Sequence, residues 1–416
     1  MPSIQGVFTS PVKPPSDGNY AMSKLTKETK SGLRSATRLI HAGRDPEDQH
    51  GFVNTPIYRG STVLFPTMAS LKDRNVPFTY GTKGTPTTKA LEDAWTELSN
   101  AEGTVLAPTG LAAITLALMT AVKSGDHLLV SDSAYGPTRH FCDTVLARMG
   151  VETTYYDPRV GSGIAALFRP HTTAVLVEAP GSQSFEMQDV PAIADVAHGR
   201  GACVIMDNTW ATPLFFPPHD RGVDLAIEAG TKYLSGHSDL LLGLVSANKA
   251  WFKRLRQTFD AFAMCAGPED AFLCLRGLRT MKLRLHEAER QALALAKWFE
   301  GRPEVKQVLH PALPSHPGHE IWKRDFKGAS GLFSIILHPV SEAAVAAMLD
   351  GLELFGMGYS WGGFESLVIP FDCATYRTAT TWAPGGPALR FQVGLEDMAD
   401  LTEDLDRGFA RLRAVG

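Results

Sequence analysis

The sequence predicts an open α/β fold on a mostly parallel sheet, followed by a smaller α+β domain. Three observations predict it. From about residue 100, continuous apolar runs of strand length recur along the chain. Helical stretches that end in glycine separate them. Beyond a helix-rich stretch at 250–300 the character changes, and the chain closes on an amphipathic helix.

In order, GTVLAP (103–108) reads as a strand and LAAITLALMTAV (111–122) as a helix. DHLLVSD (126–132), TTAVLVEAP (172–180) and ACVIMDNT (202–209) are further apolar runs. Runs of this kind fit strands buried on both faces of a parallel sheet. The segments between them, such as PTRHFCDTVLARMG and DVPAIADVAHGRG, are helical in pattern, which gives strand–helix–strand units. GLFSIILHP (331–339), SLVIP (366–370) and ALRFQVGL (388–395) read as strands of the smaller domain. Leu401, Leu405, Phe409 and Leu412 then lie at helical spacing. The domain boundary is placed near residue 285, giving units at 81–285 and 286–416. Residues 1–30, rich in Pro, Ser and Lys, read as a flexible tail, with Met22 an alternative start. Residues 31–80 carry little core of their own and read as an arm packing on a neighbouring subunit.

Composition narrows the function classes. A net charge of −4 gives no electrostatic case for nucleic acid or a membrane surface. No apolar run approaches the roughly 20 residues that span a bilayer. The 5 cysteines form no CxxC pair, so neither a disulfide framework nor a zinc site is indicated. Free thiols in a reducing cytoplasm are the expectation. No metal is expected.

The chemistry concentrates in TKYLSGHSD (231–239), downstream of a strand that ends in DNTW (207–210). Ligands of open α/β sheets bind at the carboxyl ends of strands. A buried carboxylate at Asp207 needs a cationic partner. A pyridinium nitrogen is one such partner, and its protonation is what makes pyridoxal phosphate an electron sink. Taken singly, Asp207 reads more readily as a turn cap and Lys232 as a surface lysine. In APTGLAAI (107–114) a strand runs through Thr-Gly straight into a helix, where free N–H groups favour an anion and Gly110 permits close approach. Tyr135 stands just past another strand, where a ring either stacks on a flat heterocycle or packs on the sheet edge. Arg390, on an apolar strand, needs an anion. A substrate carboxylate would serve, as would Glu396 or Asp397. GSGIAA (161–166) matches a loose dinucleotide fingerprint, but Asp157-Pro158 breaks any strand before it, and it is rejected.

Long motifs in one order carry a resemblance. They are FTYGTKGTPTT, the DNTW and TKYLSGHSD pair, GLRTMKLRL, HPALPSHPGHE, YSWGGFESL and LRFQVGLED. Over about residues 35–414 the chain resembles the Cys/Met-metabolism PLP enzymes of the aspartate-aminotransferase-like fold type I, and among them the bacterial cystathionine β-lyases. The resemblance implies that Lys232 bonds the cofactor and then shuttles protons, that Asp207 pairs with the pyridinium and that Tyr135 stacks on it. It implies that Gly110, Leu111 and Thr231 bind the phosphate, joined by Tyr80 from an adjacent subunit of a homotetramer. Arg390 and the Ser360–Trp361 region would hold the substrate carboxylate. The implied reaction cleaves L-cystathionine to homocysteine, pyruvate and ammonia. Pro180-Gly181-Ser182 and Trp361 are as in β-lyases, and Pro137 stands where methionine-acting members carry a reactive Cys. One departure is Tyr80-Gly81-Thr82, where the family commonly has an Arg two residues after the Tyr; Lys83, one residue along, is a substitute of different reach. The alternatives are a γ-acting relative, such as a cystathionine γ-synthase or an O-acylhomoserine sulfhydrylase, and a PLP-binding regulatory protein of weak activity.

Overall fold

The structure, a computed structural model, describes residue 29, residues 32–73 and residues 76–416. The tail at residues 1–30, residue 29 apart, lies outside the described residues, as does Met22.

The chain enters through α1 (Ser35–His41), whose Leu39 is buried. Arg279 donates to the carbonyls of Leu39 and Ala42 at 2.5 and 2.9 Å, tying this helix to the body. The chain from there to residue 67 has no regular element and leaves Phe52, Val53 and Leu64 exposed. α2 (Pro86–Ser99) starts sharply because Thr85 and Thr88 form a reciprocal cap and proline occupies its first turn. It buries Leu91, Ala94 and Trp95.

β1 (Gly103–Ala107), α3 (Gly110–Ala121), β2 (His127–Ser131), β3 (Glu152–Tyr156), β4 (Thr172–Glu178), α4 (Val190–His198), β5 (Cys203–Asp207), β6 (Leu225–Ala229) and β7 (Gly243–Ala247) follow. The strands make one sheet in the order β1-β7-β6-β5-β4-β2-β3. Only β7 runs against its neighbours. Alternate residues serve opposite faces: Val175, Val177, Val204 and Met206 join one core, while Leu176, Ile205 and Ile227 join the other. Each such side chain contributes about 1.5–3 kcal/mol on burial.

α5 (Pro268–Glu300) is 33 residues long and contains residue 285. Leu278, Met281 and Leu285 pack into the core of the large sheet, and Leu295, Ala296 and Phe299 into that of the second sheet. β8 (Val305–Leu309), β9 (Leu332–Leu337), β10 (Leu367–Phe371) and β11 (Ala388–Gln392) form that second, antiparallel sheet in the order β10-β11-β9-β8. α6 (Met398–Val415) covers it with Leu401, Leu405, Phe409 and Leu412 buried.

β3, β6, β7 and β8 are strands that the apolar runs did not reveal. β3 and β8 are half-exposed edges of mixed composition, and β6 carries a buried glutamate, Glu228. The strand ahead of GSGIAA does exist, ending at Tyr156 just before Asp157-Pro158. The motif itself forms a 3-10 turn (Gly161–Leu167), not the α-helix a nucleotide site requires. All five cysteines are free, and Cys265 is the exposed one. Among the described residues no helix is long and apolar enough to cross a membrane.

Candidate active site

Five strands of the large sheet deliver side chains to one place at their carboxyl ends. β1 leads into Thr109, whose hydroxyl accepts the Ala112 N–H at 3.0 Å and so starts α3. The Gly110 and Leu111 N–H groups point out of that first turn without a protein acceptor among the described residues. A side chain at Gly110 would meet the Ala229 methyl at 2.9 Å, so glycine lets α3 begin hard against the end of β6. β2 leads to Tyr135, whose N–H donates to Glu178 Oε2 at 2.7 Å.

Glu178 and Asp207 are register partners on β4 and β5, so two carboxyl groups lie side by side on one face. Burial pushes both above the ordinary carboxylate range, and for Glu178 the Asp207 charge adds to the effect. Asp207 Oδ1 accepts from the Thr209 N–H at 3.0 Å and its hydroxyl at 2.6 Å, which pulls its value partly back. Burial together with these two carboxylates also raises the Tyr135 phenol, which therefore stays protonated.

β6 ends at Ala229, and the turn after it carries Thr231 and Lys232. The Thr231 hydroxyl is spent on the Leu242 N–H, 3.1 Å away. Arg284 holds the next turn by donating to the Tyr233, Leu234 and Gly277 carbonyls at 2.8, 3.2 and 2.7 Å. Gly236 (φ +69°) is needed there because any side chain would collide with that guanidinium. Lys232 Nζ donates to Ser360 Oγ at 2.8 Å and lies 5.1 Å from the centre of the Trp361 ring. Burial, then the Arg390 charge, lowers its amine to about 8, against the pull of Asp207. Arg390 crosses from β11 and donates to the Tyr359 and Ser360 carbonyls at 3.0 and 3.3 Å. Burial lowers it to about 10. Glu396 instead accepts from Ser366 and Asp397 from the Ala399 N–H, and among the described residues neither pairs with Arg390.

Gly110, Leu111, Tyr135, Asp207, Thr231, Lys232, Trp361 and Arg390 line one cavity of about 500 Å³, and Ser360 touches the Lys232 amine at its edge. Tyr80 is elsewhere: it lines a second cavity of about 340 Å³ with Gly60 and Ser61 and is 50% exposed. Lys83 pairs with Asp260 at 3.0 Å and does not line the first cavity. The sequence reading missed Glu178, Gln183, Tyr359 and Tyr376, which also line it. Tyr359, inside YSWGGFESL, was within reach. Glu178 closes an apolar run and was hidden by it, and Tyr376 sits in an irregular segment without pattern.

The family profile described as Cys/Met metabolism PLP-dependent enzyme matches residues 36–410. The chain belongs to that family. It is 54% identical over 396 residues to a putative cystathionine beta-lyase of Rhizobium johnstonii, covering 94% of this chain and 100% of the relative. It is 39% identical over 387 residues to the cystathionine beta-lyase MetC of Escherichia coli, covering 90% of this chain and 98% of the relative. Among solved structures, the cystathionine gamma synthase of Xanthomonas oryzae pv. oryzae in complex with cystathionine superposes with a TM-score of 0.85 at 32% identity, covering 92% of this chain and 100% of that one. The family's cofactor is pyridoxal 5'-phosphate, and the cavity fits it. Free N–H groups at the start of α3 suit the phosphate, the Asp207 carboxyl suits a protonated ring nitrogen, and the Lys232 amine suits the aldehyde.

One consequence is measurable in the cofactor-free protein. An amine lowered to about 8 is mostly neutral above that pH and protonated below it. The rate at which pyridoxal phosphate bonds to Lys232 is expected to rise with pH and level off above about 8. An ordinary lysine would keep rising toward about 10.4. Stopped-flow absorbance across pH 6–10 checks this, and a profile still climbing at the top of that range would contradict the environment described.

Proposed function

We propose that this protein is a carbon–sulfur β-lyase that cleaves L-cystathionine to homocysteine, pyruvate and ammonia. The observation that carries the reading is the Lys232 amine held 2.8 Å from Ser360 Oγ, with Arg390 fixed to the backbone of Tyr359 and Ser360. An amino acid gripped by its carboxylate at Arg390 would present its Cα to Lys232. The identities to cystathionine beta-lyases support the choice of reaction.

Bound pyridoxal phosphate supplies an electron sink for charge that develops at Cα. The chain does the rest. Arg390 binds and orients the carboxylate. Lys232, largely neutral above about pH 8, takes the Cα proton, and Ser360 Oγ aims its nitrogen. The Tyr135 ring covers one face of the site. Its protonated phenol, or the newly charged Lys232, gives a proton to the departing sulfur. Asp207 would offer a negative charge to a protonated ring nitrogen of the bound cofactor. Purified, cofactor-loaded protein given L-cystathionine should release pyruvate and a free thiol together. Formation of 2-oxobutyrate instead would assign it to the γ-acting branch, and no turnover would overturn the reading.

We infer further that the protein works in the cytoplasm as a homotetramer whose sites borrow Tyr80 from an adjacent subunit. The exposed Phe52, Val53 and Leu64 of the arm, and Tyr80 lying outside the Lys232 cavity, support this. Co-expressing Lys232→Ala and Tyr80→Ala chains, each poorly active alone, is expected to restore part of the activity. Mixed pairs hold one site with both residues intact. No recovery would place Tyr80 in its own subunit's site or outside catalysis.

A further inference from the structure

The segment that follows β4 is held in a costly shape. Gln183 has φ +65° and Phe185 φ +60°, in the left-handed region that non-glycine residues avoid. Contacts from both sheets enforce it. The Ser182 N–H donates to the Ser133 carbonyl at 2.8 Å, and the Gln183 carbonyl accepts from Ser334 Oγ on β9 at 2.7 Å.

The Gln183 side chain is fixed as well. Its Oε1 accepts from the Cys373 thiol at 3.8 Å and lies 3.2 Å from the Tyr376 hydroxyl, whose one proton is shared between that oxygen and Cys373 Sγ at 2.9 Å. Those two groups belong to an irregular segment that is itself bolted down. Buried Asp132 accepts from the N–H groups of Thr378, Ala379 and Thr380 at 3.0, 3.1 and 2.7 Å and from the Thr380 hydroxyl at 2.7 Å. It also pairs with Arg139, and Arg377 reaches Glu186 at 2.6 Å. With the oxygen of the amide taken, Gln183 Nε2 is left without a protein partner among the described residues. Gln183 and Tyr376 both line the Lys232 cavity.

A rigidly oriented, unpaired N–H donor on a cavity wall asks for an acceptor on the ligand. We propose that Gln183, set by Tyr376 and Cys373, is the specificity residue that receives the carboxylate of the leaving half of a thioether amino acid. The inference rests on the reading above, in which Arg390 takes the carboxylate of the half that stays. A substrate with an amino-acid head on both sides of its sulfur fills both places. A simple S-alkyl cysteine fills one. Gln183 selects among substrates by binding and takes no part in bond breaking.

The test uses the cofactor-loaded enzyme, with ligand affinity read from the fast absorbance change of the bound cofactor. L-cystathionine and S-propyl-L-cysteine are titrated into wild type, Gln183→Leu, Gln183→Glu and Tyr376→Phe. Gln183→Leu is expected to weaken cystathionine about tenfold or more while S-propyl-L-cysteine stays within about twofold. Gln183→Glu, nearly the same shape but a like charge, weakens cystathionine further and again spares the alkyl ligand. It carries the test if the leucine variant does not fold. Tyr376→Phe releases the amide and gives a smaller loss, again on cystathionine alone. Equal weakening of both ligands, or no change in either, overturns the proposal. So does a wild type that binds only the alkyl ligand. Affinity is read without turnover, so a wild type that binds both yet forms no pyruvate would sink the lyase reading while the comparison still judged Gln183.

Discussion

Replacing Lys232 with alanine is expected to leave a folded protein that no longer keeps pyridoxal phosphate through gel filtration and forms pyruvate at least about 10³-fold more slowly. Two roles are lost at once. On the reading proposed here the amine, 2.8 Å from Ser360 Oγ, would both bond the cofactor and take the Cα proton. The fold should survive, because among the described residues Lys232 makes no ion pair with a carboxylate, its backbone bonds to Ala229 and Gly236, and Arg284 holds the turn that follows. Added amines that restore turnover in the variant would point to the base role in particular. Normal turnover in Lys232→Ala would remove the site assignment altogether.

Asp207→Asn is the second large effect, and its two readouts should move in opposite directions. Asparagine keeps the shape and can still accept from Thr209, but it offers the ring nitrogen no charge. Turnover is expected to fall about 10²–10³-fold, the scale typical of removing one preorganised electrostatic group. Cofactor-free protein, by contrast, should melt at a higher temperature than wild type. Burial raises the Asp207 carboxyl, so ionising it costs the folded state. That cost accumulates as pH rises above the ordinary carboxylate value and is complete above the raised one. The variant removes it, so its advantage should be present at neutral pH and vanish in acid. Equal melting temperatures at neutral pH would mean that the carboxylate is well compensated without its cofactor.

Four strands of the large sheet were legible because burial on both faces left them as continuous apolar runs; β6 and β7 are as buried, but Glu228 and Ser246 interrupt their runs. β1, β2, β4 and β5 announce themselves in that way. β3 and β8 did not, since an edge strand exposed to solvent carries ordinary polar residues. Residues of the cavity that lie at or just past a strand end, Asp207, Tyr135 and Lys232, could be found from the rule that ligands sit at carboxyl ends. Gln183 and Tyr376 could not. What places them is contact between segments nearly two hundred positions apart, Gln183 and Tyr376 among them, and no local pattern encodes such a meeting.

α5 has a consequence for how the chain can vary in length. Lys232 belongs to one sheet and Arg390 to the other, and the same unbroken helix is packed into both cores. Inserting a single residue near position 286 would turn everything beyond it by about 100° and advance it by about 1.5 Å. The guanidinium and the amine would then miss a shared substrate even if each sheet folded correctly. Surface loops can gain or lose residues at little cost. The middle of this helix is a ruler, and its length is part of the active site.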